Sequence, residues 1–194
     1  MAITTEQIKE LREATGVSVM QCKKALEEAG GDQEKAKVAL AKQSKKAASK
    51  KADRELGSGT VAAYIHAGGA VGTLVELACE TDFVSKNEEF QKIAYDIAMH
   101  VAAAAPEFLK RDEVTEEQTT KVKEVFQKEV EGKPEDIQDK IMQGKLDAYF
   151  DEKVLLDQKF IKDPEKRISD LIEAATQKFG ERTEIVRYSR FSVN

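Results

Sequence analysis

A change in residue type between positions 54 and 60 divides the sequence into two folding units. Before it, apolar residues recur at helical spacing, whereas the stretches at 60–66 and 71–79 are rich in β-branched residues. The chain has 194 residues, of which 41% are apolar, enough to bury the core of one ordinary domain and a small one. We therefore predict a small helical module followed by a larger α+β domain.

Three short helices are predicted within the first forty residues. Polar residues that favour helix starts precede them: Thr4, Ser18 and Asp32. Glycines that favour helix ends follow the first two: Gly16 and Gly30-Gly31. Because helices this short are marginal alone, they are expected to pack their apolar stripes together. This predicts a compact three-helix module at residues 1–44.

The segment from Lys42 to Arg54 carries six basic residues and one acidic residue, Asp53. Its apolar periodicity is weak, so a solvated helical extension or linker is expected, assigned to residues 45–56. A basic run can also bind nucleic acid, but here no aromatic residues are interleaved and the net charge of the chain is −5. We therefore expect no direct contact with nucleic acid.

The second unit, residues 57–194, is predicted to be a core domain built on an antiparallel sheet. A β-hairpin over 60–79 is expected to turn at Ala67-Gly68-Gly69-Ala70, and the helix after it ends before Pro106. The last strand, 183–193, is expected to join this hairpin in the sheet.

A helical hairpin that projects from the core domain is predicted at about 107–150. Gly132 interrupts its helical pattern and Pro134 can start the second helix. An extended stretch over 154–161 and a helix from about Pro164 to Phe179 are expected to follow.

Sequence motifs for binding a nucleotide or a metal ion are absent. The chain has no Gly-rich phosphate loop between a strand and a helix. Cys22 and Cys79 are far apart and have no Cys or His partner at metal-ligand spacing, so both are expected to be buried thiols. We expect no cofactor, no metal site and no covalent catalysis.

The sequence also bears on the cellular compartment. No signal-like segment opens the chain, and no run of about 18 apolar residues occurs in it. A protein of the cytoplasm, or of an organelle that encodes it, without contact to a membrane is expected.

Two other kinds of protein fit parts of the sequence. A small enzyme would need Glu80, Asp82 and His100 to converge as acid and base in one pocket, although no substrate-binding motif accompanies them. A bare interaction module would carry its whole function in the three-helix bundle.

The segment Thr81-Asp82-Phe83-Val84 lies where a strand is predicted to end and a helix to begin. A corner of this kind can present a large apolar ring and a neighbouring carboxylate to a partner. Alternatively, Phe83 fills the core and Asp82 caps a turn. The residues alone leave both interpretations open.

The run Cys79-Glu80-Thr81-Asp82-Phe83-Val84 resembles a signature of the elongation factor Ts family. The N-terminal signature of that family resembles two further runs: Ala14-Thr15-Gly16 and Met20-Gln21-Cys22-Lys23-Lys24-Ala25-Leu26. Other similar segments lie later in the chain: Ile97–Ala102, Gly132-Lys133-Pro134 and Gln158-Lys159-Phe160. The resemblance covers nearly the whole chain, in the order of the family.

The resemblance implies a guanine-nucleotide exchange factor that acts on elongation factor Tu in translation. The N-terminal module would be of the ubiquitin-associated type. Asp82 and Phe83 match a pair that is inserted beside the magnesium and phosphate site of the partner, with Phe83 as the wedge; Thr81 and Val84 belong to the same segment. The other implied partner contacts are Met20, Lys23, Val71, Gly72 and His100.

His100 has an alternative to the partner contact that the resemblance implies. It is flanked by Ile93 and Ile97, so it could be a packed histidine. The chain is similar to a short form of the family with one hairpin core instead of two related halves. Two copies would then pair to rebuild that core, which predicts a homodimer.

Overall fold

The computed structural model of the protein describes residues 3–131 and 134–193. Helices alternate with an antiparallel sheet, so the predicted α+β class is confirmed. Gly132, the predicted interruption of the helical hairpin, lies with Lys133 outside the described residues. Among the described helices, none combines the length and the apolar content needed to cross a membrane.

The first three helices begin at the predicted caps. They are α1 (Thr5–Thr15), α2 (Val19–Glu28) and α3 (Gln33–Ser49). At α1 the predicted cap Thr4 forms a capping box with Gln7, because Thr4 accepts the Gln7 N–H at 3.2 Å and the Gln7 side chain accepts the Thr4 N–H at 2.9 Å. At α2 the Ser18 hydroxyl accepts the Gln21 N–H at 3.4 Å.

These helices share one small core. Its fully buried members come from all three helices and from the loop between α1 and α2: Leu11, Val17, Cys22, Ala25, Leu26, Ala36 and Leu40. Cys22 is a free thiol in this core, and Cys79 is a free thiol in the larger one, as predicted. Burial raises the pKa of both thiols, so both stay protonated.

Helix α3 continues beyond the predicted end of the module at residue 44. It runs into the basic segment as far as Ser49, so the boundary predicted at residue 44 falls inside a helix, and Lys50 to Arg54 follow the helix as turns and a bend. The basic segment is predicted to be surrounded by solvent, but one of its faces is covered. The buried hydroxyl of Ser44 donates to the Gln177 side chain of a later helix. Lys51 also donates to the Thr176 carbonyl at 3.4 Å.

The core domain contains the predicted antiparallel sheet. Its strands are β1 (Ser58–Ile65), β2 (Val71–Cys79) and β5 (Glu184–Ser192), in the order β1-β2-β5. Gly68 and Gly69 form the predicted turn with positive φ values of 85° and 73°. A four-residue helix α4 (Asp82–Ser85) and α5 (Glu88–Ala104) follow β2.

Only one face of this sheet is covered. Helix α5 packs Phe90, Ile97 and Val101 against the side chains of Val75 and Leu77 in the main core. On the opposite face, apolar side chains from all three strands remain exposed: Val61, Ile65, Leu74 and Phe191.

The predicted helical hairpin consists of α6 (Glu116–Val130) and α7 (Glu135–Lys153). Lys145 pairs with Glu129 at 2.5 Å, and the Tyr149 and Phe126 rings lie 6.4 Å apart. The later residue of α7, Tyr149, contacts the earlier residue of α6, Phe126. The two helices are therefore antiparallel, as predicted.

The segment after the hairpin differs from the prediction. A short 3-10 helix over Leu155–Asp157 interrupts the expected extended stretch. Pro164 lies in β4 (Asp163–Arg167), which pairs with β3 (Lys159–Phe160), so α8 (Ile168–Phe179) begins four residues after Pro164. The Arg167 N–H instead binds the Asp170 side chain at 2.7 Å, which caps the start of α8.

Candidate partner-binding site

The segment Thr81–Val84 forms a corner between β2 and α5. Thr81 has extended backbone angles, φ −127° and ψ 158°, and α4 begins directly after it. Val84 is 4% exposed and belongs to the main core, and Ser85 is buried beside it. Since Val84 points inward, the side chain of Phe83 projects outward.

Phe83 is 83% exposed at the tip of this corner. The interpretation in which Phe83 fills the core is therefore wrong, because Val84 takes that role. Lys86 donates to the Asp82 carboxylate at 2.6 Å and lowers its pKa, so Asp82 is ionised at neutral pH. An apolar ring and a carboxylate thus stand side by side in solvent.

The outer side of the corner is attached to the loop between α8 and β5. Thr81 donates twice to the Glu181 carboxylate, from its N–H at 3.0 Å and from its hydroxyl at 2.6 Å. Glu80 accepts the Arg182 N–H at 2.5 Å and the Arg54 guanidinium at 3.1 Å. These donors lower the pKa of Glu80.

The inner side of the corner is attached to β1 and to its own backbone. Ser58 donates to the Ser85 hydroxyl at 2.9 Å, and Ser85 in turn donates to the Asp82 carbonyl at 3.2 Å. The Cys79 thiol lies 3.2 Å from the Thr81 carbonyl. Both ends of α4 are therefore fixed, while Phe83 between them is not packed.

Sequence reasoning missed these anchors. Glu181 and Arg182 lie about one hundred positions from the residues that they hold. No local motif marks such pairs; only the predicted pairing of the last strand with the hairpin brought the two regions into one neighbourhood.

The predicted contacts of the N-terminal module lie at the start of α2. Met20 is 83% exposed and Val19 beside it is also exposed. Lys23 lies one turn later, where its amine is 3.8 Å from Glu27 and largely in solvent. These residues form a second exposed patch with an apolar and a basic component.

Val71 and Gly72 lie at the opposite end of β2 from the corner. The nine residues of this strand span about 27 Å, so the structure does not bring these two residues together with Phe83. Both are half-buried, and a Cβ on Gly72 would lie 2.8 Å from the Ile65 side chain. They border the uncovered face of the sheet.

His100 is completely buried in α5. Its Nδ1 accepts the Ile161 N–H at 3.3 Å, which assigns the proton to Nε2, and Nε2 lies 2.9 Å from Gln158 Oε1. Burial lowers the pKa of His100, so the ring is neutral. The packed histidine is thus the alternative that the structure favours, and the side chain offers no surface to a partner in this conformation.

The acid-base pocket of the enzyme hypothesis does not form. In the described part of the chain, Glu80 binds Arg54 and Arg182, Asp82 binds Lys86, and the His100 ring binds Gln158 and Ile161. Within the same part of the chain, no group of three or more His, Cys, Asp or Glu side chains is arranged to hold a metal ion.

Comparison with known proteins gives one consistent family. The family described as Elongation factor TS matches residues 3–194. The elongation factor Ts of Thermodesulfovibrio yellowstonii is 47% identical over 194 residues, covering 100% of this chain and 97% of the relative. That of Thermosipho melanesiensis is 47% identical over 98% of both chains. A match of this extent, over both the helical module and the core domain, shows that the chain belongs to the elongation factor Ts family.

Proposed function

We propose that the chain is a guanine-nucleotide exchange factor in translation elongation. It binds elongation factor Tu loaded with GDP in the cytoplasm, promotes release of GDP and so allows GTP to load, without covalent catalysis or a cofactor. The observation that carries the proposal is the exposed ring of Phe83 on a corner whose two ends are fixed. Membership of the family supports the role in elongation.

The chemistry of the corner suits a wedge. A GTPase holds its nucleotide through backbone amides, a lysine and a magnesium ion that bridges phosphate oxygens. Phe83 gains about 1.5–3 kcal/mol when its ring moves from water into an apolar site of the partner. The ionised Asp82 beside it places a negative charge where the partner holds phosphates and a cation. Together they disturb the support of the magnesium ion.

Linkage sets the size of the effect. If the factor weakens the binding of nucleotide to elongation factor Tu by some ratio, the nucleotide weakens the binding of the factor by the same ratio, because the free, singly bound and doubly bound states form a closed thermodynamic cycle. A ten-thousand-fold weakening requires about 5.5 kcal/mol of differential binding. The ring of Phe83 supplies about half of this at most. A second contact area is therefore part of the proposal, and the exposed Met20 and Lys23 supply it.

The test is release of a fluorescent GDP analogue from purified bacterial elongation factor Tu in excess unlabelled GDP. We expect strong acceleration by the parent chain and at least a tenfold smaller effect of Phe83→Ala, since a buried aromatic anchor contributes about 2 kcal/mol or more. Val125→Ala is the matched control, because Val125 is an exposed apolar residue on α6. The proposal fails if the parent does not accelerate release, and the wedge role fails if Phe83→Ala matches the parent.

The uncovered face of the sheet supports the predicted homodimer. A groove of about 530 Å³ runs along it between the β1-β2 turn and the end of β5, with Ile65, Leu74 and Phe191 among its walls. Arg187 and Glu76 form an ion pair at 2.6 Å across β5 and β2. We propose that a second copy packs its own apolar centre against this one across a two-fold axis, with the Arg187 and Glu76 pairs of both copies at the rim.

Light scattering coupled to size-exclusion chromatography tests the dimer. We expect the parent to elute with the mass of two chains and Phe191→Asp with the mass of one, because a buried unpaired carboxylate is costly at an apolar interface. Val125→Asp places the same charge on α6 and should leave the dimer intact. A monomeric parent at micromolar concentration excludes the proposed pairing.

A further inference from the structure

Helix α4 cannot set the direction of Phe83 by itself. It has four residues, and a helix of one turn is unstable without support at its ends. Val84 and Ser85 hold its C-terminal end in the core. The direction of the Phe83 ring therefore depends on what holds the other end, at Thr81.

Two groups hold that end: the Cys79 thiol lies against the Thr81 carbonyl, and Glu181 binds the N–H and the side chain of Thr81. The two carboxylate oxygens of Glu181 accept the N–H and the hydroxyl of Thr81 at 3.0 and 2.6 Å, which fixes both the backbone nitrogen and the side-chain rotamer of Thr81. Hydrogen bonds to a carboxylate are stronger than those between neutral groups. Thr81 itself is exposed, so its donors would turn to water if the carboxylate were removed.

Glu181 is in turn held on a fixed loop. Gly180 ends α8 with a φ of 73°, a left-handed conformation that turns the chain towards the corner. The next two residues are also bonded: Arg182 N–H to Glu80, and Thr183 N–H to the Thr176 hydroxyl at 3.2 Å. The carboxylate thus reaches Thr81 from a loop that is attached on both sides.

We propose that Glu181 is a positioning residue for nucleotide exchange, which acts through Thr81 to set the direction in which Phe83 projects. This rests on the proposed function. Glu181 orients the wedge but is not part of the second contact area at Met20 and Lys23. Its loss should therefore lower the rate of GDP release at a saturating concentration of this chain and leave the concentration that gives half of that rate nearly unchanged.

The variants Glu181→Ala, Glu181→Gln, Thr81→Val and the Glu181→Ala/Thr81→Val double variant are compared in the GDP-release assay as a function of factor concentration. We expect Glu181→Ala to lower the saturating rate about two- to tenfold: two hydrogen bonds are lost, but water replaces much of each at the exposed Thr81, which leaves a net loss in the range of one bond. Glu181→Gln, which keeps one acceptor oxygen, should retain more of the rate. Glu124→Ala removes a carboxylate from α6 and should equal the parent.

Coupling separates a positioning role from a general loss of stability. If Glu181 acts through Thr81, the double variant loses less than the product of the two single losses. Hydrogen exchange of the Thr81 amide reports the contact without reference to elongation factor Tu, and it should be faster in Glu181→Ala than in the parent. Should Glu181→Ala unfold, Glu181→Gln and Thr81→Val carry the comparison.

Each outcome bears on a different claim. An active parent together with a Glu181→Ala variant of equal saturating rate overturns the positioning role and leaves the exchange function standing. Multiplicative losses in the double variant, or an unchanged Thr81 amide, also overturn it. An inactive parent removes the exchange function, and the positioning role with it.

Discussion

Phe83 and Val84 are neighbours with opposite environments, and this contrast makes a prediction about stability. Val84 is 4% exposed in the main core, whereas Phe83 is 83% exposed. Val84→Ala removes two methyl groups at about 0.8 kcal/mol each and leaves a small cavity, so the free energy of unfolding should fall by about 2 kcal/mol. Phe83→Ala deletes a larger side chain and should change it by less than about 0.5 kcal/mol.

Urea denaturation followed by circular dichroism measures both changes on the full chain. The slope with urea should be the same for the parent and both variants, because neither substitution alters the surface exposed on unfolding by much. In the GDP-release assay and the urea experiment together, the two variants should differ. Phe83→Ala should keep the stability of the parent and accelerate GDP release poorly, whereas Val84→Ala should lose stability. A loss above about 1 kcal/mol for Phe83→Ala would refute the reasoning, since the ring would then be packed against the chain.

Three further predictions concern pH and packing. Burial lowers the pKa of His100, so its contribution to stability is present above the ordinary histidine value of about 6.5 and is lost as the pH falls below it. The urea midpoint should be lower at pH 5.5 than at pH 7.5, and His100→Gln should abolish this difference. Arg167 and Arg111 lower the pKa of Asp151, so Asp151→Asn should cost about 1 kcal/mol at pH 7 and progressively less as the pH falls below the ordinary aspartate value of about 3.9, as measured by thermal melts. Gly59→Ala should lower the melting temperature, because its Cβ would lie 2.7 Å from the Leu77 carbonyl oxygen.

Local signals predicted the parts of the fold that depend on near neighbours in sequence. The cap at Thr4, the end of α1 at Gly16 and the turn at Gly68-Gly69 all form as expected. Each is governed by residues within four positions of one another, where backbone geometry and side-chain hydrogen bonds act directly.

Features that depend on distant partners were not predictable in this way. α3 passes residue 44, and beyond the predicted boundary it is held against the core domain by the hydrogen bond of Ser44 to Gln177, which lies 133 positions later. Pro164 has the signature of a helix start, yet the pairing of Lys159 with Arg167 places it in a strand. At the candidate site, the motif identified Asp82 and Phe83, whereas the support from Glu181 required the three-dimensional arrangement.

The continuity of α3 affects how the two proposed contact areas reach a partner. A flexible linker would let the patch at Met20 bind first and leave Phe83 to find its site by diffusion at an effective concentration set by linker length. Here α3 is a single helix whose C-terminal half is packed on α8 through Ser44 and Gln177. The conformational freedom between the patch at Met20 and the corner at Phe83 is therefore lost when the chain folds, and no further entropy is lost for it when the chain binds a partner. In a complex of the proposed kind, contact at Met20 would deliver Phe83 with its orientation already chosen.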